Sequence, residues 1–383
     1  MKNIFIILSV LLLVACAKDQ EDKFQGSSKG QQSLQIMTLT PSFAEVQPMT
    51  RAGYLPDSYI NYASLVGATN PQYANIGMFM VPDRSEPSAD YVYQEIDEHG
   101  HGIDSWISNI YVVTSTQYYM YGFMPGTGAA GATITSLNGT GGDDYANGAN
   151  IHIDNFSTLT PADVSVVVGV RKATDDEITA HAPLADVKLG AFSFVAGEKD
   201  HNSAFILLKH LYSGIRFRAI IDPTYHELRE IKFTKVEMVV DDIAPTVDLD
   251  IQLTANGEGN DPITSVTYTE TADHDEVSIS LFPWEGSLTE YQLKETETNF
   301  FLGCFVPSKV NAFTIKTTYN VYDKEGNLIR ENCVAENTIN STIVPSLASI
   351  EAGEVYTITC TVKPTYLYVL SDPDLDNPTF IIE

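Results

Sequence analysis

Positive charge is scarce in this chain: 22 lysines and arginines face 50 aspartates and glutamates, for a formal net charge of −28. Such a surface repels phosphate backbones and anionic headgroups, which excludes nucleic acid as an expected partner. Cysteine is nearly absent, with four in 383 residues. Cys304, Cys333 and Cys360 lie in strand-like contexts with no CxxC and no interleaved histidines, so a zinc-finger arrangement is excluded. Buried thiols, or one disulfide formed on occasion, remain open. Beyond residue 14 there is no long apolar run, and sustained helical periodicity hardly occurs.

Catalytic signatures are missing as well. There is no GxSxG elbow, and His226-Glu227 lacks the second histidine of a zincin helix. Gly126-Thr127-Gly128-Ala129-Ala130-Gly131 spells GxGxxG, but the strand-like Ala132-Thr133-Ile134-Thr135 follows where a dinucleotide fold needs a helix, so it reads as a loop. His99 and His101 sit in a glycine-rich turn. The run from Asp372 to Asp376 lacks the glycine and distal glutamate of a calcium loop and reads as a solvated hinge. No enzyme, no cofactor and no metal site is expected.

What is present starts with a leader. Met1, Lys2 and Asn3 precede the apolar run Ile4 to Val14, which at about a dozen residues is shorter than the roughly 20 a spanning helix needs. Leu13-Val14-Ala15-Cys16 matches a lipobox, in which Cys16 is acylated and becomes the first residue of the processed protein. The serine, glycine and glutamine-rich stretch to Gln32 reads as a tether. The expected location is the outer membrane, with the lipid as anchor.

After residue 50, period-2 alternation dominates. Strands are predicted at Asn75 to Val81, Trp106 to Thr114, Tyr118 to Phe123, Val164 to Val170, Ile215 to Ile221, Ile231 to Val240, Asp248 to Leu253, Ser265 to Thr269, Glu276 to Leu281, Phe300 to Val306, Ala312 to Tyr322, Val355 to Val362 and Tyr366 to Leu370. Lys324-Glu325-Gly326-Asn327, Asn256-Gly257 and the glycine-rich Gly126 to Gly148 punctuate them. Short helices are predicted near Thr174 to Thr179 and Pro223 to Arg229. The pattern predicts an all-β protein of β-sandwiches with a few short helices. Trp106, Trp284 and Tyr118 to Tyr121 could form a glycan-binding face or pack in the core.

The two ends of the body share a design. Leu34, Ile36 and Leu39 form one apolar cluster and Phe43 and Val46 another, split at Pro41, which reads as a strand pair joined by a kink. Far downstream, Tyr366 to Leu370 alternates, breaks from Ser371 to Pro378 and resumes at Phe380, Ile381 and Ile382. An apolar strand of this kind has to dock either in its own domain or in a neighbour. Between the first segment and the body stands Met49-Thr50-Arg51-Ala52-Gly53, an arginine followed by small residues, suited to an arginine-specific protease.

Cys16 in its lipobox, the Thr50-Arg51-Ala52 site, the two-part body, the stretch His210-Leu211-Tyr212-Ser213-Gly214-Ile215-Arg216-Phe217 and the apolar far end together resemble the fimbrillins of Bacteroidales, the subunits of type V pili. The resemblance implies two tandem transthyretin-like β-sandwich domains. It implies 1–16 as signal peptide and lipidated cysteine, 17–51 as propeptide, 52–200 and 201–365 as the two domains, and 366–383 as a donor-strand extension. A protease would cut after Arg51, leaving Ala52 first, and the leaving strand with Leu34, Ile36, Leu39, Phe43 and Val46 would depart. A donor strand carrying Tyr366, Tyr368, Leu370, Phe380 and Ile382 from another pilin subunit would fill the groove. The implied partners are other subunits, the protease, the outer membrane through a transient lipid, and a host or bacterial surface receptor. The resemblance favours a stalk subunit. A tip or accessory adhesin, and a surface lipoprotein that binds glycan without polymerising, are the alternatives.

Overall fold

The computed structural model describes residues 31–38, 76–83, 92–96, 105–126, 131–137, 145–162, 164–180, 187–197, 201–257, 259–283, 289–296, 301–307, 309–345, 347, 350–364 and 373–382. The described residues form an all-β protein. In chain order the strands of the first half are β1 (Gln31–Thr38), β2 (Ile76–Pro82), β3 (Val92–Ile96), β4 (Ser105–Val113), β5 (Gln117–Met124), β6 (Ala132–Ser136), β7 (Gly148–Ser157), β8 (Leu159–Thr160), β9 (Ser165–Lys172), β10 (Ser193–Val195) and β11 (His201–His210). The second half carries β12 (Ser213–Ile221), β13 (Glu230–Ile243), β14 (Thr246–Thr254), β15 (Ile263–Glu270), β16 (Asp275–Phe282), β17 (Tyr291–Gln292), β18 (Phe301–Phe305), β19 (Ala312–Tyr322), β20 (Leu328–Asn340), β21 (Val355–Pro364) and β22 (Pro373–Ile382). Two short helices, α1 (Asp175–Ala180) and α2 (Pro223–His226), fall where the sequence places them. Asp222 caps α2 by accepting from the Thr224 N–H, with Pro223 preset for the first helical turn.

Among the described residues, four sheets enclose two apolar cores. The first core lies between a sheet ordered β3-β2-β5-β9-β11-β1-β4 and a smaller one ordered β15-β14-β7-β6. The second lies between β22-β21-β12-β18-β8 and β16-β13-β19-β20. Strand β19 shows why these segments are strands: Phe313, Ile315, Thr317, Tyr319 and Val321 point inward and the residues between them lie partly exposed. β5, β9 and β11 read as unbroken apolar runs because both of their faces are covered.

The halves of the sequence do not map one to one onto the cores. β14 and β15 come from the second half but pack onto β7, contributing Val247, Leu249, Ile251 and Leu253 to the first core. β11 pairs with β9 and β1 in the first sheet. β18 is a shared wall: Leu302 and Cys304 face one core, Phe301 and Phe305 the other. That explains the uninterrupted burial of a five-residue strand.

The stretch His210 to Phe217 is the joint between β11 and β12. Tyr212 is buried, packs edge-on against Phe156 with ring centroids 6.1 Å apart, and donates its hydroxyl to the Ser157 carbonyl at 2.8 Å. Tyr268 donates to the Leu211 carbonyl at 2.6 Å, and Ser213 Oγ to the Glu351 carbonyl at 2.8 Å. Burial pushes both tyrosine hydroxyls well above their ordinary titration range, so they stay neutral donors.

Several sequence expectations need correction. The stretch to Gln32 is expected as tether, yet β1 starts at Gln31; of the strand pair expected over Leu34 to Val46, the residues after Thr38 lie outside the described ones. The acidic run from Asp372 is expected as a hinge, yet β22 starts at Pro373, and Asp374 stands opposite Lys363 in register. The hinge composition is absorbed by a shift in which Thr379 pairs with Thr361 and Asp374 with Lys363, so the residues between them bulge. The glycine-rich Gly126 to Gly148 holds β6 as well as turns. Strands β7 and β20 are not anticipated by the sequence pattern.

Candidate functional site

The strand read as leaving, β1, is interior to its sheet. It runs parallel to β11 on one side, from Ser33 opposite His201 to Thr38 opposite Ile206, and antiparallel to β4 on the other, from Gln31 opposite Val113 to Met37 opposite Ser105. Leu34 and Ile36 lie on it, at positions opposite Asn202 and Ala204. Leu39, Phe43 and Val46 lie outside the described residues, as do Cys16, Arg51 and Ala52. Among the described residues β4 ladders with β1 alone, so β1 is what joins β4 to the rest of the sheet.

The β11 wall of this slot is apolar. Ala204, Phe205, Ile206 and Leu208 are all buried, and Asn202 and Ser203 with them. Behind the slot, Glu177 of α1 is fully buried and receives two hydrogen bonds from the Arg171 guanidinium, at 2.8 and 2.6 Å, plus one from the Thr174 N–H at 2.8 Å. The Arg171 guanidinium also lies 5.1 Å from the centre of the Phe205 ring. Arg171 on β9, Phe205 on β11 and Met37 on β1 therefore occupy one row across three strands. The bidentate pair fixes the edge of β9 against which β11 is aligned.

The strand read as donor, β22, is an edge strand in the other core's sheet. Among the described residues it pairs antiparallel with β21 alone, Phe380 opposite Cys360 and Ile382 opposite Ile358. Tyr366, Tyr368 and Leu370 lie outside the described residues. Cys360 is buried, and burial pushes its thiol up to about 12. Cys304 is buried and Cys333 half-buried, and among the described residues no disulfide joins any of the three. Tyr118 to Tyr121 are buried, which makes them core residues and not a glycan face. Trp284, His99 and His101 lie outside the described residues.

Sequence reasoning missed one cluster. On the outer face of the smaller sheet of the first core, His152 Nδ1 lies 2.6 Å from Asp250 and its Nε2 lies 3.0 Å from Asp154. The Asn155 N–H donates to Asp248 Oδ1 at 2.9 Å. The Asp250 hydrogen bond is the main cause that holds the His152 imidazole above its ordinary titration value, against the lowering effect of partial burial, with Asp154 adding to the rise. The signal was there as His-x-Asp and Asp-x-Asp, spacings that put two side chains on one face of a strand. The spacing carries no face on its own, because the polar composition of β7 does not read as a strand.

A second ionic cluster sits where the chain passes between cores. His274 reaches Glu270 and Asp242, each at 3.2 Å, and Lys309 pairs with Glu270. Glu270 first, and Asp242 next, hold the His274 imidazole above its usual value.

No known family profile matches the chain, and no curated protein is similar to it in sequence. Solved structures are similar at low scores. A Bacteroides uniformis protein provisionally named for cell adhesion is 11% identical with a TM-score of 0.38, over 93% of this chain and 98% of that one. A Bacteroides fragilis protein named in the same way is 10% identical with a TM-score of 0.37, over 92% and 97%. A fimbrial protein from Bacteroides vulgatus is 14% identical with a TM-score of 0.32, over 92% and 98%.

Proposed function

We propose that the chain is a structural subunit, most simply a stalk subunit, of a type V pilus. It is exported as a lipoprotein acylated at Cys16, cut between Arg51 and Ala52, and polymerised when the C-terminal strand of another copy takes the place of β1. The observation that carries this reading is the position of β1: inside a sheet, laddered on both sides, and separated in sequence from the body by Arg51. A cut there leaves β1 attached by non-covalent contacts alone.

The ladder count explains why exchange waits for the cut. Among the described residues β1 makes two ladders and β22 one. Moving β22 into a slot still claimed by β1 means losing ladders, and each lost backbone hydrogen bond costs about 0.5 to 1.5 kcal/mol net. Once β1 has been released and diluted away, the balance reverses. A β22 that leaves its single ladder on β21 gains two in the empty slot, and it covers the unpaired edges of β4 and β11. Phe380 and Ile382 enter as apolar donor residues beside β11's buried wall, with Tyr366, Tyr368 and Leu370 extending the strand.

Light trypsin treatment of the purified precursor tests the reading. It should give one early nick after Arg51 followed by SDS-resistant ladders; cleavage at scattered sites, or a nicked chain that stays monomeric, contradicts it.

A further inference from the structure

We infer that His152, Asp154 and Asp248 form a binding site for a single zinc-class divalent cation, with Asp250 as the residue that orients the imidazole. The inference stands apart from the pilus reading and rests on the smaller sheet of the first core. Along β7, Ile151 and Ile153 are buried, and along β14 so are Leu249 and Ile251. Alternation therefore sends His152 and Asp154, and Asp248 and Asp250, to the opposite, solvent-facing side. His152 is directly opposite Asp250 in the ladder. One step further the register shifts between Val247 and Leu249, and Asn155 adopts a positive φ of 49°. This bulge brings Asp248 alongside Asp154, and the donor atoms of His152, Asp154 and Asp248 all lie within 4.8 Å of one another.

The donor set has the division of labour of a metal site. The Nδ1–H of His152 donates to Asp250, which fixes the ring and leaves Nε2 pointing at Asp154; a carboxylate behind a ligating histidine does this in metal centres generally. On binding, Nε2 releases its proton to solvent and takes the cation, and the carboxylates close in to ligand distances of about 2.0 to 2.2 Å. One imidazole and two carboxylates with an open fourth position suit zinc and its neighbours; calcium, which takes six to eight oxygens, is poorly served.

Two further observations point outward to a cation. Asp154 and Asp250 flank one imidazole with Asp248 within 4.8 Å, and among the described residues no lysine or arginine forms an ion pair with any of the three carboxylates. Room has also been kept for the carboxylate: a Cβ added to Gly131 would lie 2.4 Å from Asp154 Oδ2. A bound ion would tie β7, from the first half of the chain, to β14, from the second.

Titrating metal-free full-length protein with Zn2+, and separately with Ca2+, in a calorimeter is the test. The expected result is one Zn2+ per chain, lost in Asp248→Asn and His152→Ala, weakened about 10- to 100-fold in Asp250→Asn, and weakened in Gly131→Ala although no ligand is altered. Zinc should raise the thermal midpoint of the unmodified protein and leave that of Asp248→Asn unmoved. All four substitutions lie on the solvent side, and Asp248→Asn keeps shape and size if His152→Ala disturbs folding. Absence of a saturable single equivalent, equal binding of Ca2+, or zinc binding unchanged in Asp248→Asn would overturn the inference and leave only diffuse cation binding by an acidic surface.

Discussion

β1 and β22 are strands of similar length with opposite situations. β1, with 8 residues, is enclosed between two neighbours; β22, with 10, lies at an edge with one. The strand proposed to leave is the better held of the two, and the strand proposed to replace it is the more easily freed. Affinity alone therefore does not drive exchange. In the proposed exchange covalent release of β1 does, which would put control of assembly at the Arg51 bond instead of at the donor strand.

The largest effect that can break this comparison is on assembly itself. Uncut protein should remain monomeric at high concentration, and cut protein lacking residues 373–383 should remain monomeric as well, while still folded by circular dichroism. Ladders on a denaturing gel from the uncut protein would remove the requirement for the cut, and ladders from the truncated form would remove β22 from the donor role.

Next come two buried isoleucines, one beside each strand. Ile206 on β11 stands opposite Thr38 of β1, and Ile358 on β21 stands opposite Ile382 of β22; both are fully buried. Ile206→Ala and Ile358→Ala should each destabilise the intact precursor by about 2 to 4 kcal/mol in chemical denaturation. After assembly they should part company: Ile206→Ala lowers the heat resistance of ladders, and Ile358→Ala leaves the strand-exchange contact untouched. Glu177→Gln belongs to the same tier. It leaves Arg171 without its carboxylate beside Phe205, at a cost of about 2 to 3 kcal/mol given that the arginine is partly exposed.

A smaller effect reads the edge directly. In the intact chain Cys333 should react first with a thiol reagent, and Cys360, whose thiol is pushed up to about 12 by burial, should react slowly. Removing residues 373–383 uncovers the β21 edge opposite Phe380 and should speed Cys360 modification; an unchanged rate means that β22 does not guard that edge.

The smallest effect concerns the joint between the cores. Because Glu270 and Asp242 raise the His274 imidazole above its ordinary value of about 6.5, their contribution is complete below that value and is lost as pH rises through the higher folded value. An NMR titration of His274 should show a midpoint above 6.5, and His274→Gln should flatten that part of the stability profile. A midpoint at or below 6.5 would remove the clasp.

The legibility of this fold in its sequence follows burial. β19 is predicted to the residue because one face is core and the other is not. β7 is missed because its outward positions carry Asn150, His152, Asp154 and Asn155, a composition that imitates a loop; His152 and Asp154 among them belong to the candidate cation site. β20 is missed because Leu328 to Asn332 is exposed on both faces and is held extended by pairing with β19, a tertiary cause invisible to local pattern. β22 hides behind Asp, Pro and Asn, whose disruption is taken up by a shift in register. The candidate cation site was least legible, since His152 and Asp250 are 98 residues apart and meet only through the β7–β14 ladder. The paired apolar segments at the two ends of the body were visible; that one would be enclosed and the other an edge was not.

The central claim is that β1 is lost when the subunit takes its place on the cell surface. N-terminal sequencing of the protein recovered from surface fibres tests it most directly. The account predicts a chain beginning at Ala52, with no peptide from residues 31–38. A surface form that begins at acylated Cys16 and retains Gln31 to Thr38 would contradict it.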